Sequence, residues 1–223
     1  MRRRMMMGKR LSYDAEIEYL ESAGNCVIRT PIIPTGDDIR VQTKVLYKGY
    51  TDNTAWAAWF QAYTNEESNT YRIIRNNTNN VTTLLYNGDI ARGGGKPFTA
   101  ALNNIYNIDF NRNRYTINTS SGTLSNTKGT ENRGSLNLFS PKFKGAFFFF
   151  RVWKDDVLML DLIPVRKGNV GYMYDKVSGE LFGNAGTGQF ILGPDKMGGV
   201  IKLLIINTLH GLLNPSLKER RVA

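Results

Sequence analysis

One cysteine and one histidine are all that 223 residues provide of the two most versatile chemical side chains. Cys26 has no second thiol to pair with, so no internal disulfide holds the chain and nothing in it requires an oxidising compartment. It reads as a buried structural thiol. A structural zinc site needs about four Cys or His ligands and is excluded by the same scarcity. Nucleophilic triads fail for want of parts, because His210 lies in an apolar stretch near the C-terminus with no motif around it. Long apolar runs are missing too. Arg2–Arg4 are followed by only three methionines, Met5–Met7, far short of the ~7–15 apolar residues of a secretory signal. No signal peptide is expected. Gly198–Leu213 is broken by Lys202, Asn207 and His210, too short and too polar for a membrane span of about 20 residues, so no membrane insertion is expected.

The charge is unevenly placed. Of a net +10, residues 1–10 hold +5 without a single acid and Ser216–Ala223 hold +2, leaving +3 for everything between. Nucleic-acid binders carry a basic stripe on the folded surface rather than basic ends. No nucleic-acid partner is expected, and the tails read as solvated or as docking on an acidic partner.

What is abundant is alternation. Ile39, Val41, Thr43, Val45 and Tyr47 point one way while Arg40, Gln42 and Lys44 point the other, the pattern of a half-buried strand. Ala15, Ile17 and Tyr19 alternate with Glu16 and Glu18, and Tyr106, Ile108 and Phe110 with Asn107 and Asp109. Turn clusters separate such runs: Pro34-Thr35-Gly36-Asp37, Asn87-Gly88, Asn111–Asn113, Ser120-Ser121-Gly122, Asp155-Asp156 and Ser178-Gly179. Ala146–Trp153, with its four phenylalanines, reads as a central strand apolar on both sides, and Val157–Ile163 as its hairpin partner. With 41% apolar residues and eleven each of Phe and Tyr, the chain can build one large all-β core. The exception is Gly198–Leu213, where Ile201, Leu204, Ile205, Thr208 and Leu212 recur at helical spacing. It either packs on its own sandwich or docks against another copy or a partner. The expected organisation is a basic N-terminal tail over 1–12, an antiparallel two-sheet sandwich over 13–195, and an apolar then basic extension over 196–223.

Three stretches carry a resemblance. Glu18–Ile33 reads EYLESAGNCVIRTPII, Ile108–Asn118 reads IDFNRNRYTIN, and Asp161–Asp195 reads DLIPVRKGNVGYMYDKVSGELFGNAGTGQFILGPD. Together with the basic, methionine-rich start they resemble the concanavalin A-like (laminin-G-like) jelly-roll domains of phage and prophage tail- and fibre-associated proteins of gut bacteria. The resemblance implies a jelly-roll sandwich and a non-enzymatic structural or adhesion role in a virion made in the bacterial cytoplasm. It further implies host-surface glycan, other virion proteins or further copies of itself as partners. The closing motif itself reads as scaffold. Asp175 can bond its own turn, Gly179 supplies positive φ, and Tyr172, Tyr174, Leu181, Phe182 and Phe190 are core candidates that would lock the last strands onto the first. Where such domains have aspartate-threonine-glycine after the second strand, this chain has Arg29-Thr30-Pro31, which removes the acid and stiffens the backbone.

No catalytic residue, metal site or cofactor is expected. Glu16, Glu18 and Glu21 imitate the carboxylates of jelly-roll glycosidases, which must stand about 5–5.5 Å apart in a retaining pair. They read instead as the polar face of an outer strand. Gly93-Gly94-Gly95-Lys96 lacks the first glycine of a phosphate loop and has Pro97 where Ser or Thr should hold magnesium. The acidic turns Asp37-Asp38 and Asp155-Asp156 show no ligand-spaced pattern for calcium. The stand-alone lectin is the alternative to a virion module, and a glycoside hydrolase a remote one. Sugars stack on aromatic faces and are fixed by a few polar groups. Alternation puts Trp56 and Phe60 on one face and Trp59 and Tyr63 on the other. The expected sugar platform is Trp59 and Tyr63 with Gln61 beside them, and Tyr71, Arg72 and Arg75 on the next strand.

Overall fold

A computed structural model describes residues 11–34, 39–51, 57–62, 71–75, 82–86, 95–125 and 134–196. Residues 1–10 and 197–223 with His210, the turns at Gly36-Asp37 and Asn87-Gly88, Asp38, Gly93-Gly94, Trp56 and Tyr63 lie outside the described residues.

All regular structure among the described residues is strand. In chain order the strands are β1 (Ala15–Glu16), β2 (Leu20–Ser22), β3 (Ile28–Arg29), β4 (Ile39–Tyr50), β5 (Ala57–Ala62) and β6 (Tyr71–Arg75). Then come β7 (Thr82–Tyr86), β8 (Gly95–Phe98), β9 (Asn104–Asn111), β10 (Arg114–Ile117), β11 (Ser120–Thr123) and β12 (Asn137–Leu138). The last are β13 (Phe143–Lys154), β14 (Val157–Lys167), β15 (Val170–Asp175), β16 (Leu181–Phe182) and β17 (Phe190–Leu192). Two antiparallel sheets result. The larger runs β11-β10-β9-β4-β13-β14-β15-β16, with β1 on β14 and β2 joining β13 to β17; the smaller runs β3-β12-β5-β6-β7-β8.

The expected alternation on β4 and β9 sets the inner face of the large sheet. Ile39, Val41, Thr43, Val45, Tyr47, Tyr106, Ile108 and Phe110 are all buried. The small sheet answers with Trp59, Phe60, Ile73 and Leu84, and both sets belong to one core. Aromatic pairs bridge the layers. Tyr71 lies flat on Phe110 with ring centres 4.5 Å apart, Trp59 stacks on Tyr47 at 5.3 Å, and Phe60 meets Phe150 edge-on. Such pairs add about 0.5–1.5 kcal/mol each beyond their burial.

The hairpin expected at Asp155-Asp156 joins β13 to β14, both aspartates having positive φ as a two-residue type I′ turn demands. Two other expectations need correcting. Ser120-Ser121-Gly122 is not a turn but part of edge strand β11, the reversal falling at Asn118-Thr119. The alternating run from Ala15 to Tyr19 is not one strand either. β1 ends at Glu16, Ile17 makes a single bridge to Asp195, and a bend at Glu18 re-phases the chain so that Tyr19 faces outward before β2.

The closing motif does clasp the end of the fold to its beginning. β17 pairs with β2 through Phe190–Ser22 and Leu192–Leu20. Asn184 Oδ1 accepts from Val27 N at 2.9 Å, Gly188 N donates to Asn25 O at 2.9 Å, and Gly186 passes too close to Asn25 O, and Gly188 to Gly24 O, to carry a Cβ. Asp175 accepts from Val177 N and Ser178 N of its turn, and also from Asp161 N at 2.8 Å on the neighbouring strand. The inward side chain of β15, however, is Met173, fully buried, and Tyr172 and Tyr174 flank it half-exposed. Leu181, Phe182 and Phe190 are also only half-buried, Phe182 and Phe190 packing on the core's margin.

Candidate functional site

The expected platform on β5 does not form. Trp59 is completely buried, its Nε1 donating to Tyr50 Oη at 3.1 Å. The cause is an irregularity between Ala58 and Phe60 in the pairing with β6, which inserts Trp59 as an extra residue and turns both Trp59 and Phe60 inward. Tyr71 is likewise buried, its hydroxyl donating to Phe110 O at 2.7 Å across the two layers. Gln61 and Arg72 are register partners on the opposite face of the small sheet, Gln61 half-buried and Arg72 buried. The predicted residues are thus split between two faces, and Tyr63 is outside the described residues.

A second irregularity creates a different site. Along β13, Phe147 pairs with Val45 and Phe149 with Lys44, so Phe148 is the extra residue. Phe147 and Phe150 are fully buried while Phe148 and Phe149 both emerge, half-exposed, on the outer face of the large sheet. Each meets a cation and Phe148 also a ring. Lys44 Nζ stands 4.6 Å from the Phe148 ring centre, Arg151 Cζ 5.0 Å from that of Phe149, and Tyr19 packs edge-on to Phe148. Arg40 covers Trp153 in the same way at 5.1 Å.

Beside Phe149 lies an open cleft of about 200 Å³ whose outward-facing walls are Gln42, Asn107, Asp109, Thr116 and Asn118. Gln42 pairs with Asp109, which in turn pairs with Thr116, so one cross-strand row carries an amide, a carboxylate and a hydroxyl. The carboxylate is held firmly. Arg40 grips Asp109 with both Nε (2.9 Å) and Nη2 (2.6 Å), and Gln42 Nε2 adds a third bond at 2.8 Å. Burial pushes the Asp109 carboxyl up, but the bonds from Arg40 and Gln42 and the guanidinium charge outweigh it and hold the group below the usual carboxylate range. Asp109 therefore stays ionised and acceptor-only, with one lone pair, on Oδ1, left over for a hydroxyl donor. Asn118, at positive φ, closes the far side by accepting Asn107 N at 2.8 Å on its Oδ1.

A larger depression, about 300 Å³, lies at Asn169–Gly171 and Gly188–Phe190. Of its three polar side chains, Asn169, Asn184 and Gln189, Asn184 is consumed by the clasp, bonding Val27 N, Gly186 N and Gly188 O.

The three glutamates do not converge. Glu21 is buried and held by Lys48 at 2.7 and 2.8 Å, Glu18 is exposed, and Glu16 lies near Lys196 and Tyr13. Among the described residues no three or more His, Cys, Asp or Glu are gathered as metal ligands, and no helix is long and apolar enough to cross a membrane.

One sign of an outward aromatic is legible in the sequence, though not its position. Four consecutive phenylalanines cannot all face one side of a strand, and the polar residues of neighbouring β4 mark its outer face as wet. Comparison with protein-family models, with curated proteins and with solved structures finds no match to this chain.

Proposed function

We propose that this chain is a non-enzymatic, saccharide-binding β-sandwich of the concanavalin A-like jelly-roll kind, serving as an adhesion or structural module of a phage or prophage particle. The observation that carries the binding role is the cleft at Phe149, where an aromatic ring borders an amide, a hydroxyl and a clamped carboxylate. Sugar C–H faces rest on aromatic rings, and sugar hydroxyls donate to carboxylates and accept from amides. At about 200 Å³ the cleft is smaller than the ~300–1,000 Å³ of drug-sized sites, so it suits one ring rather than a chain. A pyranose of about 12 heavy atoms at roughly −0.3 kcal/mol per atom binds with a millimolar Kd. Affinity of that order serves adhesion only when many copies act together, as on a particle. The particle context itself is supported by the closing motif and the basic start, which resemble phage tail-associated domains. A lectin acting alone would use the same cleft.

A glycan array displayed at high density tests the binding role. Signal on a defined set of glycans, lost in Phe149→Ala and retained in Gln61→Ala, is the expected result. No signal on any glycan, or signal untouched by Phe149→Ala, contradicts it. Co-sedimentation with purified particles tests the virion role, and a protein never found in particles refutes that part alone.

A further inference from the structure

We infer that the saccharide taken by this cleft is acidic, its carboxylate being met by Lys44. The inference rests on the saccharide reading above and narrows its substrate class. Lys44 does not itself line the cleft, but it pairs in register with Phe149 on one side and with Asn107 on the other, so it lies in the cross-strand row that borders it, within a side chain's reach. Its situation differs from that of the other cations near it. Arg40 is tied to Asp109, Lys48 to Glu21, and Arg151 to Asp161, which Lys176 also approaches. Among the described residues Lys44 has no carboxylate in ion-pair contact, and its ammonium rests 4.6 Å from the Phe148 ring centre. A cation parked on a ring face keeps most of its hydration and gives up little on moving to an anion.

The rest of the cleft sorts an acidic sugar by orientation. Asp109 already carries the Arg40 guanidinium, so that pair is neutral overall and offers its one remaining acceptor lone pair to a hydroxyl. A sugar carboxylate brings no donor to Asp109 and is drawn instead to the Lys44 row, where Asn107 holds a side-chain amide free of protein partners among the described residues. The hydroxyl edge then faces Gln42, Asp109 and Thr116. A single carboxylate on a ring fits this polarity. A polyphosphate backbone does not, because its successive anionic groups would bring no donor to Asp109.

The test uses the full-length chain with trigalacturonate and its methyl ester, two probes that differ chiefly in charge, titrated calorimetrically at low and at physiological salt. The acid should bind about fivefold more tightly than the ester at low salt, an advantage that shrinks as salt screens it. Lys44→Gln should bring the acid down to the ester's affinity and leave the ester unchanged, whereas Phe149→Ala should weaken both. Equal binding of acid and ester, or equal weakening of both by Lys44→Gln, overturns the acidic preference and leaves the saccharide reading standing. Displacement of the acid by polyglutamate or a single-stranded oligothymidylate at equal charge concentration also overturns it, since charge alone would then suffice. If neither probe binds while a neutral array glycan does, the acidic inference falls alone. If no glycan of either kind binds, both fall.

Discussion

Phe147 and Phe150 are sealed against the small sheet, while Phe148 and Phe149, the two residues between them, face the other way and stay half open. Identical side chains on one strand therefore do opposite work, and a single inserted residue decides which does which. The inner pair belongs to a core where every ring touches others: Phe147 meets Phe139, Phe143 and Phe150. The outer pair meets cations, one edge-on tyrosine and solvent. Stability is concentrated on one side of β13, and the proposed recognition lies on the other.

The largest effect expected from this contrast is on the inner side. Phe147→Ala should cost about 3–5 kcal/mol in urea unfolding, as a fully buried aromatic leaves a cavity that close-packed neighbours fill poorly. Trp59→Ala should cost about as much, which separates its structural place from the binding role the sequence suggested for it. Next comes the clasp. Asp175 is buried and accepts three backbone N–H groups, so Asp175→Ala should cost about 3 kcal/mol by leaving those donors unpaired.

The same carboxylate sharpens the acid limb of stability. Burial pushes the Asp175 carboxyl up, but the hydrogen bonds from Asp161, Ser178 and Val177 prevail and hold it below its ordinary value. A depressed folded value means that the contribution is complete above the unfolded pKa of about 3.9 and drains away as pH falls through the folded one. Stability of the wild type should fall across that acid window, and Asp175→Asn should flatten this part of the profile; an unchanged profile would place the acid sensitivity elsewhere.

On the outer side, Phe149→Ala should cost no more than about 1 kcal/mol of stability, since its ring is already partly in water. Its saccharide affinity should nonetheless fall by about tenfold, equivalent to roughly 1.4 kcal/mol of lost stacking. An unfolding cost equal to that of Phe147→Ala would break the comparison outright. The smallest effect concerns Cys26, which is buried, with burial pushing its thiol up. Alkylation at mildly basic pH should be negligible until denaturant is added, and rapid labelling of the folded protein would show that the clasp over Cys26 opens.

Much of the scaffold was readable because period-2 alternation needs only that a strand be regular. β4 obeys it throughout and β9 from Ile105 onward, and the Asp155-Asp156 turn announces its hairpin by residue type. The clasp was readable from Asp175 and Gly179, whose roles are local. The site was not, because alternation fails wherever a residue is inserted. Trp59 and Phe148 are both such insertions, and each reverses the face assigned to the residues after it. Insertion is decided by what the partner strands can accommodate across the sheet, which local pattern does not report. The closing motif offers Tyr172 and Tyr174 as core candidates, while Met173, narrower and more pliable, takes the core position between them.

Binding at the Phe149 cleft is tested most directly by a two-dimensional amide spectrum recorded while the strongest glycan from the array is added. The side-chain amide signals of Gln42, Asn107 and Asn118 should shift together with saturating ligand, and those of Gln61 and Asn184 should stay still. Shifts centred on Gln61, or on Asn184, with the Phe149 cleft silent would contradict it.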